Sequence, residues 1–174
     1  MPHSPTFDAF RLARQRQSLE GEATMAQLPR LAVSVLDPSA RVRYAVEGRM
    51  DERGRPGALM RLSGVLALRC ERCNQPLEFL LERAVPYRFV KDEQELNAIP
   101  IEDDEVEDVI GSSSMALMPW IEDEAILSLP LVPRHLDCAL PSEGAPEPED
   151  PGRPNPFASL ASLKRGGSGG SGAA

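Results

Sequence analysis

Three cysteines and one histidine form the pattern in this 174-residue sequence that most directly indicates chemistry. Cys70 and Cys73 are separated by two residues, and His135 and Cys138 have the same spacing farther along the chain. A Cys-x-x-Cys turn can place two sulfur atoms on one tetrahedral zinc ion, which then needs two further nitrogen or sulfur ligands. These four residues include every cysteine of the protein. The pattern therefore predicts a Cys3His metal site, with Zn²⁺ as the candidate cofactor.

Two other interpretations of the cysteines stay open. Cysteine is often buried as a small apolar residue, so the thiols could simply pack in a core or a turn. A redox pair of the thioredoxin type is the third interpretation, but such pairs lie at a helix N-terminus, where the dipole lowers the thiol pKa. The Cys70–Cys73 pair instead lies between two segments that alternate like strands, which makes the redox interpretation the weakest.

The sequence offers little support for a catalytic site. It contains two histidines, of which His3 lies near the start of the chain, and it has neither a Gly-x-Ser-x-Gly motif nor a glycine-rich phosphate loop. Acidic clusters at 102–104 and 122–124 could hold Mg²⁺, but acidic runs without a defined ligand geometry are more typical of solvated surface. We therefore expect no catalytic residues, no small-molecule substrate and no enzymatic activity.

Alternation of apolar and polar residues predicts three strands around the cysteine pair. The turn-rich stretch from Asp51 to Gly57 connects the first two, and Cys70 follows the second. The inward residues are predicted to be Val42, Tyr44, Val46, Met50, Met60, Leu62, Leu66, Leu68, Leu77, Phe79, Leu81, Val85, Tyr87 and Phe89. The opposing residues of the third strand are Glu78, Glu82 and Arg88. The predicted fold is α+β and β-rich, with an antiparallel meander, or barrel-like sheet, that carries the cysteines at its second turn.

Five arginines occupy polar positions of the first two predicted strands and could bind RNA. They are Arg41, Arg43, Arg49, Arg61 and Arg69. Neighbouring strands would align them on one exposed face, where they could contact phosphates in shape-led RNA binding. The alternative is an ordinary soluble sheet face whose charge is balanced by glutamates such as Glu47. Because no exposed aromatic residues for base stacking are evident, any RNA contact would be mainly to the backbone.

Three short helices are predicted around this sheet. The first follows Thr6 as its N-cap and ends by Gly21. A later helix begins near Pro119, carries the acids 122–124 in its first turn and ends at Pro130. A third helix opens at Asn155-Pro156. Its apolar residues, which we predict to bind a partner, are Phe157, Leu160 and Leu163.

The expected domain organisation is one globular domain over residues 1–138. Residues 139–154 combine proline, glycine and acids with little to bury, which predicts a disordered acidic tether. Residues 155–165 form the C-terminal helix motif. The last nine residues, 166–174, read "GGSGGSGAA", which is the composition of a flexible expression linker.

Charge is distributed unevenly along the chain. Residues 1–91 carry a net charge of +5, whereas residues 92–174 carry −13. The first part could bind phosphates while the second meets a basic partner. Nine acids lie within residues 92–108, a run more typical of a solvated loop than of a docking site for a basic protein.

Several features of the sequence predict a cytoplasmic protein with no membrane partner. No run of 18 or more apolar residues occurs, and the N-terminus lacks the pattern of a secretory signal. An odd number of cysteines argues against a disulfide framework and fits a reducing compartment.

Three segments carry a family resemblance: "LRCERCNQPLEF", "WIEDEAILSLPLVPRH" and "NPFASLASLKR". In this order they resemble the bacterial YceD family, the large ribosomal RNA subunit accumulation proteins. The resemblance implies a β-rich cytoplasmic protein required for normal accumulation, processing or stability of 23S ribosomal RNA, with no established enzymatic activity. Some relatives carry a second cysteine pair where this chain has His135 and Cys138, which implies a metal site.

Three functional hypotheses follow for the chain. The first is a non-enzymatic ribosome biogenesis factor that binds large-subunit rRNA precursor, a ribosomal protein or both. The second is an enzyme, either a metal-dependent RNA-processing nuclease or a thiol redox protein. The third is an acidic adaptor or chaperone that holds a basic ribosomal protein without touching RNA.

Overall fold

The computed structural model describes residues 5–100 and 106–140 of the chain. The helices and strands, in chain order, are β1 (Thr6–Phe7), α1 (Ala9–Arg14), β2 (Ser18–Thr24), α2 (Pro29–Ala32), β3 (Arg41–Met50), β4 (Pro56–Arg69), β5 (Pro76–Val90), α3 (Glu93–Asn97), β6 (Glu107–Ile110), β7 (Met115–Ala116) and α4 (Leu117–Leu127). None of the helices in these two ranges is long and apolar enough to cross a membrane.

A five-stranded sheet in the order β2-β3-β4-β5-β6 forms the centre of the molecule. Strands β2 to β5 pair antiparallel with their sequence neighbours, whereas β6 pairs parallel with β5. The predicted three-strand meander is confirmed as β3–β5, and the α+β class is confirmed with it. The sheet is open rather than closed into a barrel, because β2 and β6 form its two edges.

Alternating residues bury one face of the sheet beneath the helices. Val42 and Val46 of β3, Leu62 and Leu66 of β4, and Leu81 of β5 are fully buried or nearly so. Helix α1 packs so closely on β3 that a Cβ atom at Gly48 would lie 2.1 Å from the Leu12 carbonyl oxygen. The opposite face stays exposed over most of β3 and β4.

The N-terminal helix is present, but the predicted bounds were wrong. Asp8, not Thr6, is the N-cap, since its side chain accepts a hydrogen bond from the Arg11 amide at 2.8 Å. The helix ends at Arg14, and Gly21 lies in the middle of β2. The region after α1 therefore adds a strand to the sheet that the helical pattern concealed.

The late helix also differs from its prediction. It begins at Leu117, two residues before Pro119, so the acids 122–124 lie in its middle and its first turn contains none. Glu122 and Glu124 are buried rather than solvated. Their distant partners, on α2 and β5, explain the burial, because a buried carboxylate is tolerated when it is paired and hydrogen-bonded.

The acidic run 92–108 was predicted as a solvated loop; its described residues are mostly exposed, but much of this part forms a helix and a strand rather than a loop. Helix α3 begins after Asp92, whose side chain accepts from the Glu95 amide at 2.8 Å. Strand β6 then runs beside β5 and brings Asp108 onto Arg88. Arg88 lies on the predicted face, opposite Tyr87 and Phe89, but it is only 5% exposed and is therefore buried.

Candidate functional site

The turn between β4 and β5 positions the first pair of cysteines. Strand β4 ends at Arg69, and the Cys70 amide donates to the Gln75 carbonyl at 2.9 Å. The Asn74 amide donates to the Cys70 carbonyl at 2.9 Å, and Asn74 has a φ of 59°. Asparagine tolerates this left-handed conformation better than most residues. The backbone therefore doubles back and turns both cysteine side chains to the same side.

The segment after α4 brings the second pair to the same place. The Glu71 amide donates to the Pro133 carbonyl at 2.9 Å. The Arg72 guanidinium donates to the Cys138 carbonyl at 3.1 Å. These two contacts hold residues 133–138 against the β4–β5 turn and place the four predicted ligands in one cluster, which we call the Cys3His cluster.

Two distances within the Cys3His cluster match those of a tetrahedral zinc site. The donor atoms all lie within 4.8 Å of one another. Cys70 Sγ is 3.7 Å from Cys138 Sγ, and Cys73 Sγ is 3.4 Å from His135 Nδ1. Zinc–sulfur bonds of about 2.3 Å and zinc–nitrogen bonds of about 2.0 Å at tetrahedral angles require about 3.8 Å and about 3.5 Å. The structure therefore contains a group that could hold a metal.

The second nitrogen of His135 has its own partner. His135 Nε2 lies 3.1 Å from the Pro76 carbonyl oxygen. Only a protonated Nε2 can donate to a carbonyl oxygen. In the neutral ring this leaves Nδ1 without a proton, and its lone pair faces Cys73. Histidine ligands usually make such a second hydrogen bond, which sets their tautomer and orientation.

The electrostatic environment favours a negative charge on Cys70. Burial alone disfavours its thiolate, but the backbone N–H groups of Cys73, His135 and Arg72 outweigh this effect and lower the pKa of Cys70 to about 5. Burial, followed by the neighbouring sulfurs of Cys70 and Cys73, raises the pKa of Cys138 to about 11. A bound cation would reduce the electrostatic repulsion between adjacent thiolates.

A cavity of about 400 Å³ adjoins the cluster. Glu71 and Pro133, which link the two halves of the cluster, form part of its wall, and apolar residues such as Leu68 and Leu129 form another part. Leu131 stands fully exposed at this cavity.

The five predicted RNA-binding arginines are exposed and share the outer face of the sheet. Arg41, Arg43 and Arg49 alternate along β3, and Arg61 and Arg69 alternate along β4. The register pairs Ala45 of β3 with Arg61, which places the two sets on the same side.

Acidic and apolar residues interrupt this arginine face. The glutamates on the same face are Glu20, Glu22, Glu47, Glu78 and Glu82. Arg61 pairs with Glu47 at 2.5 Å, and Arg43 lies 3.7 Å from Glu22. Val65 and Leu80, which pair across β4 and β5, are 53% and 66% exposed. The face is therefore mixed in charge, with five exposed arginines, five glutamates and an apolar centre.

Some functional groups were not predicted from the sequence. Arg72 and the Pro76 carbonyl both contact ligands of the cluster, and the backbone contact between Glu71 and Pro133 joins its halves. Arg72 carried a signal, because it lies between the two cysteines, whereas backbone carbonyls have none. The predicted partner-binding residues Phe157, Leu160 and Leu163 lie outside the described residues.

Comparison with known proteins identifies the family. The family model described as "Large ribosomal RNA subunit accumulation protein YceD" matches residues 59–164, a range that includes the whole Cys3His cluster. A Haemophilus influenzae protein named "Large ribosomal RNA subunit accumulation protein YceD" is 31% identical over 173 residues, which cover 92% of this chain and 95% of that protein. No solved structure matches. These matches confirm the resemblance predicted from the three sequence segments, and the chain belongs to the YceD family.

Proposed function

We propose that this protein is a non-enzymatic, cytoplasmic ribosome biogenesis factor that supports the synthesis, processing or stability of 23S large-subunit rRNA. The observation that carries this proposal is family membership, since the Haemophilus influenzae relative is named for accumulation of large ribosomal RNA. Binding to precursor RNA, to a ribosomal protein or to both would give this effect.

The outer face of the sheet is the surface we propose for RNA. Three of its arginines, Arg41, Arg49 and Arg69, have no ion pair within the described part of the chain and are exposed. Guanidinium groups that do not pair with carboxylates can contact phosphates and release the counterions of the RNA. These contacts give affinity without recognition of bases.

We further propose that the Cys3His cluster binds Zn²⁺ and that the ion is structural. Thiolate and imidazole donors suit zinc, and four protein ligands complete its coordination without an open position for substrate. Bound zinc would add strong bonds between the β4–β5 turn and residues 135–138, which are otherwise joined by a few hydrogen bonds.

Binding of a labelled 23S rRNA precursor over a range of salt concentrations tests the RNA surface. The variant R41Q/R49Q/R69Q removes three unpaired charges, whereas R53Q removes an exposed charge from the β3–β4 turn and serves as the matched control. We expect the triple variant to reduce the slope of log K against log salt by about 2–3, since each phosphate contact contributes roughly 0.7–0.9. Wild-type binding without salt dependence would contradict an RNA surface of this kind.

A protein partner is the second candidate, and the mixed charge and apolar centre of the outer face favour it. Specific interfaces combine an apolar core with a polar rim. Pull-downs before and after RNase treatment distinguish the candidates, because an adaptor for a basic ribosomal protein keeps its partner after RNA is removed.

Incubation of the purified protein with precursor RNA and Mg²⁺ tests the enzymatic alternative. We expect the precursor to remain intact. Cleavage that persists in a repurified preparation would replace the non-enzymatic proposal with a nuclease.

A further inference from the structure

Strand β2 forms one edge of the sheet and has a free side. It pairs with β3 on one side, and no strand in the described ranges pairs with the other. The Gly48 amide donates to the Gln17 carbonyl at 2.8 Å, which makes this pair a hydrogen-bonded one. Hydrogen-bonded pairs alternate along an antiparallel ladder. Residues 19, 21 and 23 therefore bond to β3, and residues 18, 20, 22 and 24 direct their backbone groups outward.

Most of these outward groups have no partner in the described part of the chain. The Thr24 amide is satisfied by Gln27 Oε1 at 3.0 Å. The amides and carbonyls of Ser18, Glu20 and Glu22 make no such contact, and all three residues are exposed. They form a short row of free donors and acceptors with the spacing of a sheet ladder.

The sequence of β2 protects its edge only against some partners. Edges are commonly blocked by charged side chains, above all lysine, by proline, by a bulge or by a covering segment. Strand β2 reads "SLEGEAT", pairs in continuous register over all seven residues and contains neither proline nor lysine, and its charged residues are two glutamates. These glutamates would repel an acidic strand, whereas the backbone can still accept a basic one.

Side chains on the two faces of β2 indicate which strand would fit. Glu20 and Glu22 project from the outer face, and Glu22 is only 3.7 Å from Arg43, whereas Glu20 has no ion pair in the described residues. On the inner face Gly21 leaves room for the Tyr44 hydroxyl, which would lie 2.6 Å from a Cβ atom at this position. Leu19 is half-buried beside it.

We propose that the free edge of β2 binds an extended basic peptide as an additional strand. Lysine or arginine at alternate positions of the peptide would face Glu20 and Glu22, and apolar residues between them would lie near Leu19 and Tyr44. Main-chain hydrogen bonds supply affinity in this mode of binding, and alternate side chains supply specificity. The proposal goes beyond the RNA surface and does not depend on it, because the partner is a protein segment and the binding groups are on the edge.

Fluorescence anisotropy with a labelled seven-residue peptide of alternating lysine and valine tests this binding. The E20P variant removes one outward N–H without removing a bond to β3, and proline is tolerated at such edge positions. We expect E20P to weaken binding at least tenfold. The E20Q/E22Q variant keeps the backbone, and we expect it to weaken binding about fivefold at low salt and to reduce the salt dependence.

Two peptide controls keep the test independent of how well E20P folds. A peptide with the same composition in two blocks, four lysines followed by three valines, lacks the alternation. A second peptide carries N-methyl groups on its three central amides and cannot form the ladder. Both should bind wild-type protein at least tenfold more weakly than the alternating peptide. Equal binding of all three peptides would show a nonspecific charge effect and overturn the proposal.

Discussion

At the scale of single residues, His135 differs from the other members of the Cys3His cluster because it has two ring nitrogens to satisfy. The Pro76 carbonyl accepts from Nε2 at 3.1 Å, and Nδ1 faces Cys73 Sγ at 3.4 Å. A cysteine at position 135 would supply a thiolate donor without this second bond. We therefore predict that either histidine or cysteine at position 135 supports zinc binding, because both donors suit zinc.

Elemental analysis of the purified protein tests this view of the cluster. We expect one zinc per chain in wild-type protein and in H135C, and a loss of zinc in C70S and in H135A, which each remove one donor. The H3A variant is the matched control, because His3 is the other histidine of the sequence. Full zinc content in both C70S and H135A would show that the ion binds elsewhere.

At the scale of elements, Glu122 joins helices α2 and α4. Its Oε1 accepts from the Arg30 amide at 2.6 Å and from the Leu31 amide at 3.2 Å, and its Oε2 pairs with the Arg30 side chain at 2.9 Å. The N-cap of α2, Leu28, provides no side-chain hydrogen bond. A carboxylate from another helix thus satisfies free amides at the start of a helix too short to be stable alone.

The E122Q variant measures the contribution of this helix-to-helix contact. An amide keeps the shape of the side chain but loses its charge, so we expect the free energy of unfolding to fall by about 1–3 kcal/mol. The D123N variant is the matched control: Asp123 also pairs with Arg30, at 2.6 Å, but is exposed, and its effect should stay below about 1 kcal/mol. Urea denaturation checks both values, and equal losses would refute a special role for the buried carboxylate.

Glu124 makes a second such contact, between α4 and β5. It accepts from the Tyr87 hydroxyl and pairs with Arg83 at 2.9 Å. Burial, followed by the adjacent carboxylate, raises the pKa of Tyr87 above its usual range, so the hydroxyl stays protonated and continues to donate. Together the two glutamates explain why a helix with three consecutive acids packs against the core.

At the scale of the whole molecule, the Cys3His cluster connects parts of the chain that are far apart in sequence. Its halves are separated by more than 60 residues. Residues 131–140 contain no helix or strand and expose several large apolar side chains. With so little packing, this segment is held by the contacts of Glu71 and Arg72, and we expect a bound zinc ion to add to them.

Hydrogen exchange with and without a zinc chelator tests this dependence. We expect chelation to increase the exchange rate at least tenfold at the Glu71 amide and across residues 131–140. Without the metal this segment should open locally more often, and amides exchange from the open state. Amides in the β3–β4 ladder should change little and serve as the internal control. Unchanged exchange at Glu71, or equal acceleration in β3–β4, would contradict a local structural role for the metal.

Local patterns predicted much of the fold but not its connections. Val42, Val46 and Leu62 are buried as their alternation indicated. Arg88 also follows the alternation, yet it is buried because β6 pairs with β5 and brings Asp108 beside it. Asp108 is 20 positions away from Arg88, and an alternation of inward and outward residues along one strand carries no information about such a distant neighbour. The same limitation concealed the burial of Glu122.

The sequence by itself determined the family, the strand pattern of the meander and the four candidate ligands. These features depend on residue type and short spacing, which are local properties of the chain. Only the tertiary structure decided that His135 and Cys138 meet Cys70 and Cys73, that two glutamates of α4 are buried, and that β2 forms an acidic edge with no further strand beside it among the described residues. These features arise when distant segments pack together, because pairing, burial and free edges depend on neighbours that sequence spacing does not specify.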